Sequence, residues 1–127
     1  MILLTINEII QIHSKLIAKT GGLDGVRDEN LLISAVESAN NSFGDVEQYP
    51  SVEEKSARLC YAITSNHAFV DGNKRIGVMT MLMTLNLNNI KISYTQLELI
   101  SIGLSVADGS FKYEQIYNWI LTHKLNP

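Results

Sequence analysis

An all-α fold, a compact bundle of about six helices around one buried central helix, is what this sequence predicts. Three observations lead to it. Apolar residues recur at helical spacing along most of the chain, not in strand-like alternation. Three capping boxes, beginning at Thr5, Ser51 and Thr95, each open such a stretch. The stretch from about Asn73 to Leu87 is apolar almost all round, the pattern of a helix wrapped by others.

The elements follow in order. Thr5-Ile6-Asn7-Glu8 starts the first helix, with Leu4 and Ile9 placed as a hydrophobic staple. Ile6, Ile9, Ile10, Leu16 and Ile17 form its stripe, and Gly21-Gly22 stops it. Asp28 caps a second helix carrying Leu31, Leu32, Ala35, Val36 and Ala39 on one face. Asn40 to Pro50 reads as a loop. Ser51-Val52-Glu53-Glu54 opens a third helix with Leu59, Cys60 and Ile63 inside, and the buried helix follows Gly72. Asn88-Asn89 ends that helix, and Lys91 to Tyr94 is briefly extended. Thr95-Gln96-Leu97-Glu98 opens a fifth helix ending near Asp108-Gly109, and Tyr113, Ile116, Tyr117, Ile120 and Leu121 define the last.

The 127 residues suit a single domain over 1–127. With 46% hydrophobic and 18% charged residues, disorder is excluded as the main state. Ten basic against thirteen acidic residues give a net charge of −3, which argues against direct nucleic-acid binding through a basic stripe. One cysteine, Cys60, excludes an intramolecular disulfide and any multi-cysteine zinc site. No apolar run approaches the roughly 18 residues a membrane span needs. The start turns polar at Thr5 without a basic region, so the expected location is cytoplasmic, with no membrane partner.

Nearly all the unusual chemistry lies in His67-Ala68-Phe69-Val70-Asp71-Gly72-Asn73-Lys74-Arg75, between two expected helices. A glycine turn at a helix N-terminus presents free backbone N–H groups and the positive end of the dipole. Gly72 allows close backbone approach, and Lys74 and Arg75 add cations beside the helix start: together they read as a phosphate cradle. Histidine titrates near neutral pH, so His67 suits a general base. Asp71 is a hard oxygen ligand of the kind that holds magnesium beside nucleotide phosphates. Base, metal ligand and cradle are the parts needed for phosphoryl or nucleotidyl transfer onto a hydroxyl. Phe69 alternates with the polar groups and anchors the loop. The plain structural alternatives are a helix-end histidine, an aspartate cap, a glycine turn and a solvated basic pair.

The string resembles the His-x-Phe-x-Asp-x-Asn-Lys-Arg signature of the Doc (death-on-curing) toxin branch of the Fic superfamily. Matching its six specified positions by chance has odds on the order of one in a hundred million per window at uniform residue usage. Gly21-Gly22, Gly25-Val26-Arg27-Asp28, Leu31-Leu32, Glu54-Lys55, Asn66 and Ala107-Asp108-Gly109 look Doc-like too, so the resemblance runs from about Thr5 to Ile120.

Most Fic proteins transfer AMP to a hydroxyl and carry a second glycine where this chain has Lys74. The lysine of Doc-type proteins goes with a reversed nucleotide and transfer of the γ-phosphate of ATP. The resemblance therefore implies an ATP- and Mg2+-dependent kinase acting on a threonine of elongation factor Tu, arresting translation. His67 would be the base and Asp71 the magnesium ligand, while Gly72, Asn73, Lys74 and Arg75 would hold phosphates. It also implies a toxin-antitoxin pair with a Phd-like antitoxin whose C-terminal segment completes the toxin fold. A Fic-type inhibitory helix is not matched in cis: Ser110 to Gln115 misses its last position. Doc often has alanine where Gly72 stands, and Ala68 replaces a common proline. The alternatives are AMP transfer to a protein hydroxyl, or a non-catalytic helical module binding an antitoxin or a nucleotide.

Elsewhere ordinary packing explains the residues. His13 lies on the first helix's apolar stripe, Cys60 is a small buried hydrophobe, and Met79, Met81 and Met83 are core. Trp119 anchors the last helix, His123 suits its C-terminus, and Arg27-Asp28 receives no chemistry.

Overall fold

A computed structural model describes residues 1–126. Its elements run α1 (Ile6–Thr20), α2 (Glu29–Ser38), β1 (Ser42–Phe43), β2 (Val46–Glu47), α3 (Val52–Asn66), α4 (Asn73–Leu87), α5 (Gln96–Ala107) and α6 (Tyr113–His123). The expected helical bundle is thus present. Thr5, Ser51 and Thr95 each accept the N–H of the glutamate three residues on, and that glutamate reaches back to the cap N–H. These reciprocal bonds satisfy donors that every helix start otherwise leaves free. Leu4 and Ile9 are both buried in one cluster, as a staple requires.

Two features depart from the sequence reading. Asn40 to Pro50 is not all loop: an antiparallel hairpin pairs Ser42 with Glu47 and Phe43 with Val46. Gly44 turns it at a positive φ of 62°, and Lys55 of α3 pins it by donating to Glu47 Oε1 and to the Ala39 carbonyl, each at 3.0 Å. The strands are too short to leave a periodic signal. Second, the centre is a pair of helices. α3 packs against α2, α4, α5 and α6, while α4 packs against α1, α3 and α5.

The pair forms a shared wall between two cores. Leu4, Ile9, Leu32, Leu59, Ile63, Phe69 and Ile76 fill one side, and Cys60, Met81, Leu85, Ile102, Ile116 and Ile120 fill the other. Burial pushes the Cys60 thiol up to about 12. At Gly77 the helices approach so closely that a Cβ would lie 2.2 Å from Thr64 Oγ1 and 3.0 Å from the Cys60 carbonyl. Met81 is fully buried, but Met79, Leu82 and Met83 are only half-covered. Two clefts open on this side of α4, of about 340 and 620 Å³, and Met79, Leu82 and Leu99 line both. α5 therefore covers α4 incompletely, which the all-round apolar pattern did not predict.

The segment Lys91 to Tyr94 is extended as expected, with Ile92 bridging antiparallel to Lys124. His123, Trp119 and Glu98 tie α5 to α6: the histidine ring stacks on Trp119 at 4.2 Å and contacts the Glu98 carboxylate.

Candidate active site

α3 ends where His67 takes the left-handed conformation, φ 52° and ψ 47°. Held there, a non-glycine residue costs about 1–3 kcal/mol, so its surroundings must fix it. The segment from Gly25 to Asp28 does so. The Arg27 guanidinium forks onto the His67 carbonyl through Nε at 2.9 Å and through Nη2. The N–H groups of Arg27 and Asp28 both donate to the Ala68 carbonyl, and Val70 N–H donates to the Gly25 carbonyl at 3.0 Å. Val26 and Phe69 form an antiparallel bridge. With its backbone restrained this way, His67 remains exposed to solvent.

Phe69 is 1% exposed and is the anchor expected from the sequence. The Asn73 amide brackets it, Oδ1 accepting the Phe69 N–H at 2.9 Å and Nδ2 donating to its carbonyl at 3.0 Å. That amide therefore closes the loop, and what Asn73 offers a ligand is its backbone N–H. His13 is also buried and stacks on Phe69 with centroids 3.9 Å apart.

Asp71 precedes α4. Its carboxylate accepts the Leu23 N–H at 3.2 Å and the Gly72 N–H at 2.8 Å, while Arg75 Nη2 lies 3.7 Å away. The bonds from Leu23 and Gly72, then the nearby Arg75, hold the carboxyl below its usual range. It is thus an ionised, partly open carboxylate. Among the described residues, no group of three or more His, Cys, Asp or Glu side chains is placed to hold a metal. One carboxylate fits a magnesium ion that arrives coordinated to phosphates, and does not make a self-sufficient metal cage.

Gly72 caps α4 at φ 76° and ψ 20°, where no side chain caps the helix. The first-turn N–H groups of Asn73, Lys74 and Arg75 consequently face outward without an intrahelical partner. A Cβ on Gly72 would lie 3.0 Å from Ile17 Cδ1, so both backbone angle and space call for glycine. Gly22 is equally constrained: at φ 113°, its added Cβ would fall 2.6 Å from Asp71 Oδ2.

The two cations differ. Arg75 Nη1 donates to Thr20 Oγ1 at 2.6 Å and to the Gly21 carbonyl at 2.7 Å, so it also fastens the loop to the end of α1. Lys74 makes no ion pair or hydrogen bond among the described residues, and its stem lies over Gly103 of α5. It stands at the mouth of the 340 Å³ cleft, beside Val78, Leu82, Leu99 and Ile100. One short segment therefore carries outward N–H groups, a lysine with no ion pair among the described residues, an ionised carboxylate and an exposed histidine. Chemically, that set can bind a phosphate and remove a proton beside it.

Sequence reasoning missed the contributions of Arg27, Gly22 and His13. Arg27-Asp28 and Gly21-Gly22 stood out only by resemblance, and nothing local in the chain points His13 toward a loop 58 residues away.

The Fic/DOC family model matches residues 3–85, most of the chain and all of the motif. The chain belongs to the Fic/DOC family. It is similar to Toxin Doc of Mycolicibacterium smegmatis (strain ATCC 700084 / mc(2)155), at 36% identity over 73 residues. The match covers 58% of this chain and 56% of that relative, so it spans little more than half of either protein. Among the described residues, no helix is long and apolar enough to cross a membrane.

Proposed function

We propose that the chain is a Doc-type toxin that transfers the γ-phosphate of ATP to a threonine hydroxyl of elongation factor Tu. One observation carries this reading: α4 starts at Gly72 without a side-chain cap, and the same short segment holds exposed His67, ionised Asp71 and Lys74, which has no ion pair among the described residues. His67 takes the proton of the attacking hydroxyl. The threonine oxygen bonds to the γ-phosphorus, and the bond from that phosphorus to the ADP oxygen breaks, leaving phosphothreonine and ADP. The N–H groups of Asn73, Lys74 and Arg75 and the Lys74 ammonium orient and neutralise the phosphates. Asp71 is the residue that would hold magnesium, which when bound offsets phosphate charge.

AMP transfer rests on Gly72, where the resemblance to Doc weakens. Here the left-handed backbone and the close contact with Ile17 favour glycine on structural grounds, so Gly72 does not itself favour AMP transfer. Lys74 remains the discriminating residue.

A cognate antitoxin is part of the same reading. The half-covered face of α4 continues onto α5, where Leu97, Ile100 and Leu104 are 78%, 50% and 52% exposed at helical spacing. Such a face suits the apolar side of a partner's segment.

The test supplies purified protein with elongation factor Tu, magnesium and ATP labelled at the α or the γ phosphate. Transfer from γ alone, falling at least about 100-fold in His67→Ala, is expected. Label arriving from α would establish AMP transfer instead, and transfer that persists in His67→Ala would remove the base assignment.

A further inference from the structure

We infer that His13 is a positioning residue for the catalytic loop, setting the orientation of the Asp71–Gly72 peptide plane. Its ring is 1% exposed, and Nε2 lies 2.7 Å from the Asp71 carbonyl oxygen. A carbonyl can only accept, so Nε2 carries the hydrogen. On the other side, Nδ1 faces Asp24 Oδ1 at 3.5 Å, and that oxygen is held by Ser14 Oγ at 3.0 Å and Gly25 N–H at 2.8 Å.

The bonded peptide is a consequential one. Its carbonyl belongs to Asp71 and its N–H to Gly72, and that N–H donates to the Asp71 carboxylate. Gly72 is also the residue with the greatest freedom to let the plane rotate. Turning the plane over would withdraw the N–H from Asp71 and change how the chain enters α4. Two contacts resist this: His13 fixes the carbonyl, and its ring bears on Phe69, whose backbone Asn73 brackets. An apolar ring at position 13 would pack as well but leave the carbonyl unheld. The sequence reading of His13 as a packed histidine describes its burial and misses this bond.

The inference adds to the transfer reading above, and two variants separate position from packing. His13→Phe keeps a ring against Phe69 without a donor; His13→Gln keeps an N–H donor without the ring. Three quantities are measured: the Gly72 amide resonance in ¹H–¹⁵N spectra, the melting temperature, and kcat at saturating nucleotide. In His13→Phe the Gly72 amide should move and kcat should fall at least about tenfold with melting little changed, whereas His13→Gln should restore both. A Gly72 amide unmoved in His13→Phe, or a wild-type His13 protonated only at Nδ1, would overturn the inference. The amide and ring signals need no substrate. If the protein transfers nothing from ATP, the transfer reading fails while the role of His13 is still decided.

Discussion

The loop of residues 67–75 and the outer face of α5 both adjoin α4, yet they are stabilised in opposite ways. In the loop, His67, Ala68, Val70 and Asp71 all have backbone groups bonded to segments elsewhere, while the polar side chain of His67 is left open. On α5, the helix is internally satisfied and well capped, but a line of leucine and isoleucine side chains faces outward. The first region spends its polar contacts on fixing geometry before any ligand arrives. The second leaves apolar area exposed. Preorganisation is needed where a reaction occurs, and unburied surface where reversible recognition occurs.

The largest effect should come from breaking the support beneath the loop. Gly77→Ala places a methyl against Thr64 where α3 and α4 approach closely. Overpacking of this kind costs about 1–3 kcal/mol, which outweighs the roughly 1 kcal/mol gained in helix propensity. Calorimetry should show a melting temperature lowered by several degrees. An unchanged melting temperature would mean that the helices separate freely.

A smaller effect concerns Asp71. Its carboxyl titrates lower in the folded protein than in the unfolded chain, so the stabilisation is fully present above the ordinary carboxylate value of about 3.9. It is lost as pH falls through the lower, folded value. The Gly72 and Leu23 amide resonances should therefore hold steady down to about pH 4 and move only below it. Movement already at pH 5 would show that the two N–H groups do not hold the carboxylate.

The smallest effect on the free chain is expected on α5. Ile100→Asn removes exposed apolar area, so stability should stay within about 0.5 kcal/mol. Affinity for the proposed antitoxin, measured by calorimetric titration, should fall at least about tenfold, roughly the value of one buried isoleucine. Undiminished affinity would place the partner elsewhere and erase the contrast between the regions.

The legible parts of this fold were those encoded locally. Thr5 with Glu8, Ser51 with Glu54 and Thr95 with Glu98 lie three residues apart, so their helix starts can be read directly. The span of α4 was readable from Gly72 before it and Asn88 after it. The motif residues stood out as a candidate site because few other arrangements need histidine, aspartate, glycine, lysine and arginine so close together. Arg27, Gly22, Gly77 and His13 were not, because each acts on a residue remote in sequence. Periodicity likewise marks α4 as apolar without saying which neighbour covers which side, and so hid both the central pair and the open clefts.

The loop's anchors also bear on the order in which the molecule assembles. His13 reaches 58 residues forward, Thr20 is 55 from Arg75, Leu23 is 48 from Asp71, and Arg27 is 40 from His67. Closing loops of that length is entropically costly, so these contacts reward the chain only after α1 has docked on the α3–α4 pair. A folding intermediate can therefore contain all six helices and still lack a formed reaction centre. In a nascent or partly denatured molecule, activity would appear last and disappear first.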